Sequence, residues 1–325
     1  MFDFSRNAAR YFAAAAATLF LISCGGSDDT PAPPPFASVV AAIGASGADI
    51  GNRCGFAAQS LCFPAPPYAG TSTAANGKLF VQLIAERYGA PLVASSLGGT
   101  NFAIGGATTG VIPTDTVPQK IPSLQVQLEQ YLQRNGFLVN PQTLFIVDGS
   151  AFGNNVTRAI ELISANPALA ATLPTGVVTQ AATDIGNLLT RLYAAGARNV
   201  VLLNSSNLGL HPIVRASGAS AIALATAMST GYNGALAAQV VPGIRAVSPG
   251  LNIYYVDGGA LITDAVANPG NYGFTNTNAP CYPFFSAPTA PVCGSPGTYV
   301  FWDELHPSAA MHALVAQRAI AVIGK

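Results

Sequence analysis

The sequence predicts a three-layer α/β/α fold in which helices cover both faces of a parallel sheet. Three observations carry this prediction. Short apolar runs of strand length alternate with longer segments of helical period, the signature of βαβ units. Those runs are apolar throughout rather than alternating, as strands buried on both faces are. Hydrophobic residues make up 50% of the 325 residues and charged ones only 9%, against roughly 25% charged in an average soluble domain. A chain of this length and composition can bury one large core, and bulk disorder is excluded.

Ser38–Ile43 (SVVAAI) reads as the first strand, ended by Gly44. Lys78–Tyr88 places Leu79, Leu83 and Ile84 on one helical face, and a short strand is expected near Pro91–Val93. Leu124–Gln133 repeats the helical pattern, and Thr143–Val147 is a further buried strand. Val177–Ala195 is a long amphipathic helix stopped by Gly196, with a strand at Asn199–Leu203. Ala219–Val240 follows as helix and Leu251–Val256 as strand. Pro307–Ile323 closes the chain as a helix, with Pro307 at its start, where a missing N–H is tolerated. Pro269–Pro296 is a long Gly/Pro-rich loop with a Cys pair; in a compact domain such loops are functional or braced.

Residues 1–23 lie outside this pattern. Arg6 and Arg10 flank an apolar run at Tyr11–Ile22, too short for a spanning helix of about 20 residues but suited to an export signal. Leu21-Ile22-Ser23-Cys24 resembles the bacterial lipobox, which implies cleavage before Cys24 and lipidation of its thiol. Gly25 behind it is similar to the outer-membrane sorting class. The resemblance implies a protein lipid-anchored in a bacterial cell envelope, at the outer membrane; an ordinary signal peptide cut nearby, which would give a secreted protein, is the alternative. Residues 24–36 form a Pro-rich tether and residues 37–325 the folded domain.

With Cys24 acylated, four of the five cysteines remain. They allow three connectivities; Cys54–Cys62 and Cys281–Cys293 are favoured, because short loops close most readily. A zinc site is disfavoured, since the only histidines are His211, His306 and His312 and no CxxC occurs. No metal or organic cofactor is expected. Fourteen basic residues balance fourteen acidic ones, which leaves no cationic excess to neutralise phosphates, so nucleic acid is not an expected partner.

In doubly wound sheets active sites gather at the carboxyl ends of strands, and four segments fall there. Gly44–Asn52 follows the first strand and offers Ser46 on a tight turn. Gly98–Ala107 is Gly-rich but lacks P-loop or Rossmann spacing, so its backbone amides suit an oxyanion better than a phosphate. Asp148–Asn155 (DGSAFGNN) follows the third run. Asp303-Glu304-Leu305-His306-Pro307 precedes the last helix, and an Asp three residues before a His can orient its imidazole as a general base.

In this order the segments resemble the GDSL/SGNH family of serine esterases and lipases over nearly all of residues 37–325. The family's Gly-Asp-Ser-Leu block is similar to Ile43–Asn52, which implies Ser46 as nucleophile. Asn-Phe-Ala-x-x-Gly is matched by Asn101–Gly106, which implies the Gly106 amide as an oxyanion donor. Phe301–Pro307 closes the resemblance and implies Asp303 and His306 as triad partners, on a flavodoxin-like sheet. Asn207-Leu208-Gly209, Tyr232-Asn233 and Tyr272–Asn276 are also similar to the family. Two positions depart from it. Ala45 stands where the signature has an acidic residue. Aligned on Gly149, the third block puts Ala151 and Phe152 where Asn and Asp are expected, so Asn154 or Asn155 must supply any side-chain oxyanion donor; Asn154 is favoured, because Gly153 lets the loop fold inward. The resemblance implies hydrolysis of small-molecule or lipid carboxylic esters. Carbohydrate O-acetyl ester hydrolysis and a catalytically weakened binding lipoprotein are the alternatives.

Overall fold

A computed structural model describes residues 39–53 and 77–324. Four parallel strands form the sheet: β1 (Val39–Ile43), β2 (Thr143–Asp148), β3 (Asn199–Leu203) and β4 (Asn252–Val256), hydrogen-bonded in that order. The register aligns Ile43 with Val147, and Leu203 with both Asp148 and Val256. All four carboxyl ends therefore finish along one edge. Beyond β1 a single bridge joins Ala42 to Asn101, with Phe102 N–H donating to Ala42 O at 2.7 Å and Ile104 N–H to Gly44 O at 3.1 Å. This segment fills the outer strand position that a flavodoxin-like order requires.

The period of two along each strand sorts the sheet's side chains between two cores. Ala41, Ile43, Phe145, Val147, Val200 and Leu202 pack with one set of helices. Val40, Ala42, Leu144, Ile146, Val201 and Leu203 pack with the other. In chain order the helices are α1 (Phe80–Arg87), α2 (Leu124–Arg134), α3 (Phe152–Ala165), α4 (Leu173–Ala194), α5 (Pro212–Ala216), α6 (Ala219–Ala235), α7 (Val241–Val247), α8 (Gly258–Ala267) and α9 (Ala309–Ile323). The buried faces of α2, α3, α4 and α6 belong to the first core, and those of α1, α8 and α9 to the second.

Several elements differ from their sequence expectation. No strand forms at Pro91–Val93; Pro91 lacks a donor, and the chain turns through Ser95–Leu97 before meeting β1 at Asn101. The helix expected over Ala219–Val240 ends regular geometry at Ala235, widens into a π turn at Leu236–Val240 and resumes as α7. Pro242 explains this, because it removes an N–H and crowds the preceding turn. The last helix starts at Ala309 rather than Pro307, since the Ser308 hydroxyl accepts the Met311 N–H at 3.3 Å as its cap.

Candidate active site

The turn after β1 is built by exclusion. A side chain at Gly44 would come 2.5 Å from Asp148 Cβ, so only glycine lets β1 leave the sheet beside β2. Gln127, fully buried on α2, clamps this glycine: the Gly44 N–H donates to Oε1 at 2.9 Å, and Nε2 donates to Gly44 O at 3.0 Å. Buried Asp49 accepts four backbone N–H groups, from Gly51, Asn52, Arg53 and Gly105, at 2.7–3.0 Å. Burial pushes its carboxyl up, against the pull of those four bonds. Asn52 Nδ2 donates to the carbonyls of Asn101 (2.7 Å) and Ala103 (3.0 Å), and Asn101 Nδ2 donates to Ala48 O at 2.8 Å. The Ser46 turn and the segment from Asn101 to Gly105 are thereby one hydrogen-bonded unit.

At the far end of the sequence, Asp303 is wholly buried and its Oδ1 accepts the N–H groups of Leu305 (2.8 Å) and His306 (2.7 Å). His306 Nδ1 lies 2.9 Å from both carboxylate oxygens. A carboxylate only accepts, so the proton of the neutral ring sits on Nδ1 and Nε2 is the accepting nitrogen. Nε2 lies 2.9 Å from Ser46 Oγ. Residues 260 positions apart are thus joined into a hydroxyl–imidazole–carboxylate chain, an arrangement able to deprotonate the hydroxyl as it attacks.

The third block explains one of the departures. Ala151 is fully buried in the core, and Phe152 stacks on Tyr232 at 4.2 Å between centroids. Asn155 is also buried: its Oδ1 accepts the Thr109 N–H at 3.0 Å, and its Nδ2 donates to Thr109 Oγ1 at 2.9 Å. Asn154 instead lines the cavity beside Ser46, with one Nδ2 proton donated to Ala107 O at 2.7 Å. The amide's second proton is left over from that bond. Gly106 adopts φ +90°, a left-handed conformation that favours glycine. It lines an adjoining cleft that also includes Asn154. Ala45, at the second departure, is buried against the first core.

The cavity holds about 110 Å³, and its apolar wall includes Phe80, Leu208, Ile262, Met311 and Val315. Two further residues in it, Ser206 and His211, were not legible as site residues. In sequence His211 is only one of three histidines too few and too scattered for a zinc site, and a Ser five residues before a His is too loose a spacing to mark a pair. Cys281 and Cys293 are joined, with Cα atoms 5.0 Å apart, in agreement with the favoured pairing. The lipidation position Cys24 and the Cys54–Cys62 pair lie outside the described residues.

A family model described as GDSL-like lipase/acylhydrolase matches residues 40–319 of the chain. Among curated proteins of Arabidopsis thaliana, GDSL esterase/lipase At1g23500 is 27% identical over 89% of this chain and 90% of its own length. GDSL esterase/lipase EXL3 is 24% identical over 79% of this chain and 77% of its own length. GDSL esterase/lipase At4g16230 is 30% identical over 41% of this chain, a match that spans only 39% of that relative's length.

Proposed function

The chain belongs to the GDSL-like lipase/acylhydrolase family, and we propose that it hydrolyses carboxylic esters through Ser46, His306 and Asp303. The observation that carries this reading is the continuous hydrogen-bonded chain from Ser46 Oγ through the His306 ring to Asp303, with 2.9 Å at each step. Ser46 Oγ attacks the ester carbonyl as Nε2 takes its proton. His306 then returns that proton to the leaving alcohol, and water repeats the cycle on the acyl-enzyme. Asp303 holds the productive tautomer and stabilises the imidazolium. The Ser46 and Gly106 amides and the Asn154 side chain stabilise the tetrahedral oxyanion. The apolar wall suits the aliphatic part of an ester.

From the Leu21–Cys24 segment we further propose that the enzyme is anchored in a bacterial envelope through acylated Cys24 after removal of residues 1–23. Mass spectrometry of the N-terminal peptide from membranes should find acyl chains on Cys24; a free thiol there removes the anchor. For the chemistry, Ser46→Ala should lower kcat on p-nitrophenyl butanoate by roughly 10⁴-fold or more and abolish labelling by a fluorophosphonate, with an unchanged melting temperature. Persistent labelling of the variant would sink the assignment of Ser46.

A further inference from the structure

A second serine–histidine pair faces the same cavity as Ser46. Ser206 lies in the loop after β3, half-buried, with Oγ 2.7 Å from His211 Nε2. The other ring nitrogen, Nδ1, lies 2.8 Å from Leu305 O, and His211 also packs against the Phe301 ring at 5.3 Å. A carbonyl oxygen can only accept, so the proton is on Nδ1. Burial pushes the His211 ring down to about 4, against the raising effect of the Leu305 carbonyl, so Nε2 is unprotonated near neutrality. Nε2 must then accept, and the Ser206 hydroxyl must donate to it. The Ser206 proton is committed, and what its oxygen presents to the cavity is lone pairs.

Two roles fit a serine so placed. As a second nucleophile it would need a base poised near the working pH, and a ring held near 4 is far too weak a proton acceptor for that. As an acceptor it needs nothing more than the fixed geometry already present. We propose that Ser206, set by His211, is a specificity residue that accepts a hydrogen bond from a hydroxyl group on the ester substrate. This rests on the ester-hydrolase reading above and narrows its substrate class to hydroxylated esters. In a largely apolar cavity, a substrate without a donor leaves the Ser206 oxygen desolvated and unpaired, and this asymmetry produces selectivity. The hydroxyl can come from the acyl side, as in a hydroxyacyl ester, or from the alcohol side, as in a partial ester of a polyol.

The test is kcat/KM on two matched pairs with the purified protein. Ethyl 3-hydroxybutanoate against ethyl butanoate probes the acyl side; monobutanoylglycerol against propyl butanoate probes the alcohol side. The expected wild-type preference for the hydroxylated member is about tenfold in one pair, and which pair shows it identifies the source. Ser206→Ala should bring that ratio to near one, and Ser206→Thr, which restores a hydroxyl, should keep it. Each ratio is taken within one preparation, so a partly unfolded variant does not disturb it. Ratios near one in both wild-type pairs, with Ser46-dependent cleavage of the plain esters, overturn the inference and leave the hydrolase reading standing. A preference that survives Ser206→Ala also overturns it. If none of the four esters is cleaved in a Ser46-dependent manner, both fall together.

Discussion

Ser46 and His306 meet across 2.9 Å, yet the two loops that carry them are held by different means. The Ser46 turn is stitched into the interior: Gln127, Asp49, Asn52 and Asn101 are all buried, and their bonds run to β1, α2 and the edge segment. The loop from Phe301 to Pro307 is strapped from outside. Glu304 accepts the N–H groups of Phe285 (3.0 Å) and Ser286 (2.8 Å) and the Ser286 hydroxyl (2.6 Å). Those two residues sit in the loop closed by Cys281–Cys293, and its backbone pairs with Phe301 and Trp302 through Cys281 and Tyr282. On the other side, His211 holds Leu305 O and Ile213 N–H donates to Glu304 O at 3.0 Å. One partner of the hydroxyl–imidazole pair is thus fixed by the fold itself. The other sits in a loop whose Phe301, Trp302 and Asp303 are also buried, and a removable crosslink and a few half-buried bonds brace it further.

The largest effect expected on the strapped side comes from Asp303→Asn, which keeps the shape of the side chain but replaces an acceptor with a donor–acceptor amide. The imidazole then loses its enforced tautomer, and kcat should fall by about 10⁴-fold with little change in melting temperature; a fall below tenfold would detach Asp303 from the mechanism. On the stitched side, Asn154→Ala should lower kcat by roughly 10²–10³-fold at nearly constant KM, the mark of a bond made only in the transition state. Asn155→Ala should act on stability instead, by about 1–3 kcal/mol, because it strands the buried Thr109 N–H. Kinetics and thermal denaturation on the two variants would expose a reversal of these roles.

The strands and the reacting residues of both halves are legible in the sequence, and several of their supports are not. The four strands stand within a residue or so of their expected places, because an uninterrupted apolar run between breakers has few alternatives in a parallel sheet. Ser46, Asp303 and His306 were legible because local spacing carries their chemistry: a tight Gly-flanked turn, and an Asp three residues before a His. Helices α3 and α8 carry no clear signal in the sequence. In α3, Phe152 and Gly153 stand where a helix begins, and α8 opens on Gly258 and Gly259 with only the Asp257 cap to announce it. Ser206, His211 and Glu304 were illegible as site residues for another reason. Their partners lie in segments distant along the chain or in irregular loops, and no periodicity encodes such contacts.

The crosslink tests the strap directly. Closing a loop with a sequence separation of 12 contributes about 3 kcal/mol through the unfolded chain. The Cys281→Ser, Cys293→Ser double variant should lose up to that amount. If the loop positions His306 through Glu304, kcat should fall severalfold at temperatures well below the new melting point, where the sheet and the Ser46 turn remain folded. A variant that melts earlier but keeps full kcat would show that the crosslink stabilises the loop without positioning the histidine.

The smallest expected effect is the most discriminating, because it carries a pH signature. Burial pushes the Glu304 carboxyl up, but the Ser286 hydroxyl and the amides of Phe285 and Ser286 outweigh it and hold the group below its ordinary value of 4.5. A carboxyl depressed in the folded state contributes stability that is complete above the unfolded value and is lost as pH falls through the folded one. Ser286→Ala removes one of the donors, so the folded value rises toward 4.5 and part of that contribution disappears. At pH 7 the variant should be less stable by about 1 kcal/mol, the worth of one partly exposed charge-assisted bond. Once the pH drops below the folded value, Glu304 is protonated in both proteins and the two melting temperatures should converge. Melting curves of wild type and variant from pH 3 to 7 measure this. A gap that stays constant across the range would mean that Ser286 acts through packing rather than through the Glu304 charge, and the strap would then have no electrostatic part.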